Sequence, residues 1–224
     1  MLLREFIRRL LTEEAISVKQ AASEGLALAR LYNSYDELVL VLYDPQLVRE
    51  DLDIGTITAN CIIGYIAVVL ETFADDTPCW GANEVSKSAA QKGYGPLMYD
   101  IAMSIINEPL VPDRRLVKPQ ARAVWKHYKE KRSDVEALPL DNVNDPKTPE
   151  KCDDCVNHSG DEENPLNYAY EKKEKTNVSA LTTNHTKALE QIIKTWEIDE
   201  YAFNSLMINA SDDYFSNKYL RSPK

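Results

Sequence analysis

The residues best suited to chemistry form one run: Ser86, Lys87, Ser88, Ala89, Ala90, Gln91, Lys92, Gly93, Tyr94, Gly95, Pro96 and Leu97. Two of the seven glycines, Gly93 and Gly95, sit here two residues apart. A helical pattern starts directly after them, with Leu97, Met98, Ile101, Ile105 and Ile106 on one face. Pro96 suits the first helical position, where an N–H has no partner to lose. A glycine loop that opens a helix leaves backbone N–H groups pointing outward, with the positive end of the helix dipole behind them. That arrangement binds phosphate. The run therefore reads as a cradle for a phosphorylated cofactor. The plainer reading is a strand-to-helix turn that uses glycine for its backbone angles.

A second run carries ligand chemistry: Cys152, Asp153, Asp154, Cys155, Val156, Asn157 and His158. Cys-x-x-Cys is half of a zinc site, and Cys152, Cys155 and His158 are the metal candidates. No second Cys-x-x-Cys completes it, and His127 and His185 are the only other histidines. The expectation is a solvated polar loop without zinc. The two aspartates would raise a neighbouring thiol's pKa, which argues against a catalytic dithiol.

Several elements must position these groups. Residues 1–24 read as helix, with Leu2, Leu3, Phe6, Ile7, Leu10 and Leu11 on one face. Residues 1–20 form an amphipathic N-terminal unit, either packed on the core or docked through residues 1–14 in a partner's groove. Strand patterns cover residues 26–32, 38–43, 60–71 and 79–85, with a short strand or loop edge at 54–58. Helices follow at 96–107 and 119–132, with a loop at 110–115 between them. Residues 138–180 are polar and irregular, anchored on the core by Asn164, Pro165, Leu166, Asn167, Tyr168, Ala169 and Tyr170. A further helix at 183–195 begins a C-terminal helical extension over 181–224. Strand hairpins beside a strand–helix unit indicate an α/β (α+β) fold with a mixed sheet rather than a helical bundle.

The 224 residues carry a formal net charge of −10, which argues against general nucleic-acid binding. The acidic stretch over 134–175 is a solvated face or a lure for a basic substrate. No apolar run reaches the ~18 residues of a membrane span. Arg8 and Arg9 interrupt any secretory apolar region. The four cysteines show no disulfide framework, which suits a reducing cytoplasm.

Three runs together resemble phage-encoded proteins of the GNAT N-acetyltransferase superfamily. They are Lys92-Gly93-Tyr94-Gly95-Pro96-Leu97-Met98-Tyr99-Asp100, Val111-Pro112-Asp113-Arg114, and the run from Asn164 to Tyr170. The bend at Glu84-Val85-Ser86 before the glycine loop is similar to the superfamily's acetyl-CoA pocket. The run from Ala121 to Lys131 is similar to its later helix with an Ala…Tyr-x-Lys pattern. The resemblance covers about residues 20–175, with the core at 21–137. It implies a mostly antiparallel central sheet flanked by helices, with acetyl-CoA and an amine acceptor bound where the central strands splay. It assigns Glu84 as the base that takes the amine proton and Tyr128 as the acid for the coenzyme thiolate. Val85 would supply a backbone N–H to the thioester carbonyl. Lys87, Lys92, Gly93, Tyr94, Gly95 and Pro96 would hold the coenzyme. The superfamily usually has Gln or Arg three residues before the first glycine; here that residue is Ala90, followed by Gln91 and Lys92. The resemblance places the protein in a bacterial host's cytoplasm or in a virion. It also admits a silent relative that serves as a virion or interaction protein.

Overall fold

Leucine, valine and tyrosine dominate the segments that form one side of the sheet, where branched and aromatic side chains pack well on a pleated surface. These are β1 (Ala27–Tyr32), β2 (Glu37–Tyr43) and β3 (Ile62–Val69). In the computed structural model the residues described are 16–32, 37–47, 61–70, 83–91, 93–141, 155, 157–158 and 163–181. A short helix, α1 (Val18–Ser23), precedes β1. Ser17 caps it by accepting from the Gln20 N–H, and Gly25 closes it at φ 81. After β3 come β4 (Asn83–Ala90), α2 (Gly95–Ile105), β5 (Leu110–Pro112), α3 (Pro119–Lys131), β6 (Val135–Pro139) and β7 (Tyr168–Lys172).

The chain is mixed α+β, with one seven-stranded sheet in the order β1-β2-β3-β4-β5-β7-β6. Every pairing is antiparallel except β4 with β5. One sheet face, with Leu28, Leu40, Ile66, Val68 and Val85, packs in one core with α2 and α3. Leu97, Met98 and Ile101 enter it from α2, and Trp125 and Tyr128 from α3. The opposite face carries a separate cluster that includes Val39, Val41, Tyr43, Tyr65 and Ala67. Among the described residues no helix is long and apolar enough to cross a membrane.

Four strand assignments depart from the sequence pattern, among them β6, where no strand is expected and 138–180 read as irregular. β4 continues through Ser86–Ala90, which read as loop because Ser-Lys-Ser-Ala-Ala lacks branched and aromatic residues. Small size is what the fold needs there. A Cβ on Gly64 would lie 2.8 Å from Ala90 Cβ and 3.2 Å from Met98, so α2 rests directly over the β3–β4 pair. Leu110–Pro112, read as loop, is a three-residue strand held between two neighbours. Tyr168–Lys172, read as an anchor, does anchor, but as a strand between β5 and β6. The readings for residues 1–15, 54–58 and 183–224 lie outside the described residues.

Candidate functional site

The site is built around a fork between β4 and β5. Along β4, β5 pairs with Asn83, Glu84 and Val85 alone. From Ser86 to Ala90 the edge of β4 on that side has no strand partner among the described residues. The other edge stays paired with β3 to Ala90. The fork coincides with a β-bulge. Val68 opposes Val85 and Ala67 opposes Lys87, so Ser86 is the extra residue. A bulge bends its strand and re-aims its side chains. Ser86 Oγ donates to Glu37 Oε1 at 2.7 Å and lies 3.3 Å from Ala67 O. The bend expected at Glu84-Val85-Ser86 is thus a bulge.

The free edge leads to the glycine loop. Gly93 has φ +90, in the left-handed region that suits glycine, and a Cβ there would meet Ile16 Cδ1 at 3.3 Å. Tyr94 N donates to Gln91 O at 3.0 Å, and Tyr94 Oη donates to the Glu24 carboxylate. Gly95 and Pro96 open α2. First-turn N–H groups have no acceptor within their own helix, so this end suits an anion. Lys87 is exposed on β4; Lys92 lies outside the described residues.

Glu84 sits at the fork, opposite Val69 on β3 and Val111 on β5. Its Oε1 accepts from the Arg114 N–H at 3.0 Å. Burial raises its carboxyl above the ordinary carboxylate range, against the lowering effect of that hydrogen bond. A carboxyl so placed is suited to taking a proton from an amine. Val85, the last residue paired with both neighbours, is buried in the core.

Tyr128 lies elsewhere. It is buried on α3 in an aromatic cluster with Tyr99, Trp125 and Tyr170. Its hydroxyl donates to Pro96 O at 2.7 Å and lies 3.0 Å from Asp100 Oδ1. Burial, then the Asp100 charge, pushes the phenol well above its ordinary value. Asp100 Oδ2 accepts from Arg132 Nη2 at 3.1 Å, and Arg132 also forks onto Asp134 at 2.7 Å. Lys172, 8% exposed, completes this group near Asp100 and Asp134. Glu84 and Tyr128 therefore serve different partners. Tyr128 ties α3 to the first turn of α2, the turn that opens the glycine loop.

Sequence reasoning gave Arg114, Ser86 and Asp100 no role beyond membership of the quoted runs, and passed over Glu37. Arg114 read as the end of the Val111–Arg114 run within a loop, yet it is 9% exposed and binds Glu84 through its backbone. The metal candidates do not converge. His158 Nε2 lies 2.7 Å from Asp113 O, and burial lowers its pKa. Cys155 is buried and disulfide-bonded, to a partner outside the described residues. That corrects the expectation of no disulfide framework; Cys61 is a buried thiol outside any disulfide. Cys152 lies outside the described residues. Among the described residues no three His, Cys, Asp or Glu side chains stand together as a metal site. Compared with family models, with curated proteins and with solved structures, the chain matches none.

Proposed function

We propose that the chain is a GNAT-type acyltransferase that moves acetyl from acetyl-CoA to an amine. The observation that carries this reading is the β4–β5 fork, which opens after Val85 with Glu84 one residue before it. The free edge of β4 runs from Ser86 to Ala90, about 17 Å of strand, and ends in the Gly93–Gly95 loop and the α2 N-terminus. An extended thioester arm lying along that edge puts its phosphates on the α2 end and its reacting carbonyl beside Glu84. The strand order, the single parallel pair and the helix after each of β4 and β5 support the GNAT assignment of the sheet.

In this reading Glu84 takes a proton from the acceptor amine, whose nitrogen then attacks the thioester carbon. The C–S bond breaks and the thiolate leaves. Backbone N–H groups at the bulge beside Val85 stabilise the charge on the carbonyl oxygen. Tyr128 acts chiefly by holding the first turn of α2, because its proton is already given to Pro96 O or Asp100. To protonate the thiolate it must first leave them.

A second reading is a silent GNAT-like protein, of virion or interaction type, docked through its N-terminal helix. The packing of Ile16 and Glu24 on the glycine loop favours it, since these residues cover part of the surface that a phosphate would meet. Calorimetric titration with acetyl-CoA separates the two. Saturable binding is expected, and no heat at millimolar ligand removes the enzyme.

A further inference from the structure

Arg114 follows β5 and is 9% exposed. Its Nε donates to Pro112 O at 2.9 Å and its Nη2 to Leu166 O. Its Nη1 is buried and has no hydrogen-bond partner among the described residues. Lys172, buried to a similar degree, bonds Thr176 at 2.8 Å and faces two carboxylates. Arg114 by contrast is held by two neutral carbonyls, and Glu84 and Asp113 act on it only through space. Burial lowers its pKa to about 10, so it is still a cation at neutral pH. Buried charges in proteins are paired, and a guanidinium left with an open N–H edge is shaped for a carboxylate.

We propose that Arg114 Nη1 binds a carboxylate of the acceptor, so that the amine presented to Glu84 belongs to an amino-acid-like molecule. This deepens the acyltransferase reading and rests on it. The anion is not a coenzyme phosphate, because the glycine loop lies at the far end of the free β4 edge, whereas Arg114 adjoins Glu84. One residue holds Glu84 through its N–H and offers Nη1 from its side chain, so the acceptor's amine and carboxylate are only a few bonds apart. Nη1 is out of contact with bulk water. Arg114 opens a stretch, residues 113–118, that pairs with no strand among the described residues and is folded onto Asp113 Oδ1 by the Arg115 and Leu116 N–H groups, at 2.6 and 2.8 Å.

The test uses the full chain and calorimetry. The probes are the N-acetyl derivatives of the twenty amino acids, each beside its neutral amide, with acetyl-CoA titrated separately. At least one acetylated amino acid should bind about 10- to 100-fold tighter than its amide. Arg114→Met should erase that preference while acetyl-CoA binding is kept, and Arg114→Lys should restore only part of it. Equal binding of acid and amide throughout, failure of all twenty to bind, or a preference that survives Arg114→Met overturns the proposal. The wild-type comparison needs no variant, so a misfolded Arg114→Met leaves the proposal exposed to refutation. If an N-acetyl amino acid binds and acetyl-CoA does not, the acyltransferase reading falls and the carboxylate site stands.

Discussion

Tyr128→Phe separates two roles for one hydroxyl. The ring keeps its contacts with Tyr99, Trp125 and Tyr170, so packing is conserved. What goes is one O–H that serves Pro96 O at 2.7 Å and Asp100 Oδ1 at 3.0 Å. Asp100 keeps Arg132 at 3.1 Å, which limits its loss. A part-buried carbonyl that loses this donor, beside a weakened bond to a carboxylate, costs about 2 kcal/mol. For a chain of this size that is a fall of roughly 4–8 °C in Tm. Urea unfolding followed by circular dichroism should show a lower midpoint with an unchanged slope. Because Pro96 lies in the first turn of α2, acetyl-CoA affinity should fall as well. A purely catalytic acid predicts otherwise: unchanged stability and affinity, with turnover down about 100-fold or more. A double-mutant cycle with Asp100→Asn should give a coupling above about 0.5 kcal/mol. A Phe variant within about 0.5 kcal/mol of wild type, with normal affinity, refutes the holding role.

Glu84→Gln should abolish acetyl transfer and leave acetyl-CoA affinity nearly intact. Burial raises the Glu84 carboxyl in the folded chain, so the folded state holds that proton to higher pH than the unfolded state and charging it costs stability as pH rises. The Gln variant should therefore be the more stable at neutral pH, an advantage that vanishes below the ordinary value of 4.5; equal stability at every pH would contradict the burial argument. Gly64→Ala should cost about 1–3 kcal/mol in urea unfolding, because its Cβ meets Ala90 and Met98 closer than real contacts allow. Asp134 is held well below its ordinary value of 3.8 by Arg132, so its contribution is present above that value and lost as pH falls. Asp134→Asn should cost less than about 1 kcal/mol at neutral pH, since the group is half exposed, and nothing in strong acid. Unreduced protein in denaturant should titrate at most two of its four thiols; four reactive thiols would remove the Cys155 bond.

What the sequence reveals and what it hides follow from where each constraint is stored. β1 to β3, α2 and α3 carry their own periodicity. Leu38 to Tyr43 and Ile62 to Val69 are apolar on almost every residue, and Leu97, Met98 and Ile101 recur at helical spacing. Their existence and type are legible from a short window. β5 is three residues long and ends in proline, so nothing local marks it; it is a strand because Glu84 and Tyr170 stand on either side of it in the sheet. Ser86–Ala90 goes further. Its intrinsic preference argues against a strand, yet bulkier side chains would push α2 away from Gly64. The same residues that hide the strand let the glycine loop sit where the free edge ends. Tyr128 was legible as a residue of interest, but its partners Pro96 and Asp100 lie 32 and 28 positions away, and only their contact assigns its hydroxyl to holding the loop. Arg114 is the limiting case. No spacing sets it apart from Arg115, its neighbour, and the two differ only in that one is sealed against Leu166, 52 residues on, while the other faces solvent. Burial turns a surface charge into a cation that requires a partner, and burial is a property of the whole sheet. The chemistry at the fork therefore belongs to contacts between distant segments, and substitutions at Arg114 and Tyr128 test it more directly than changes within the glycine run.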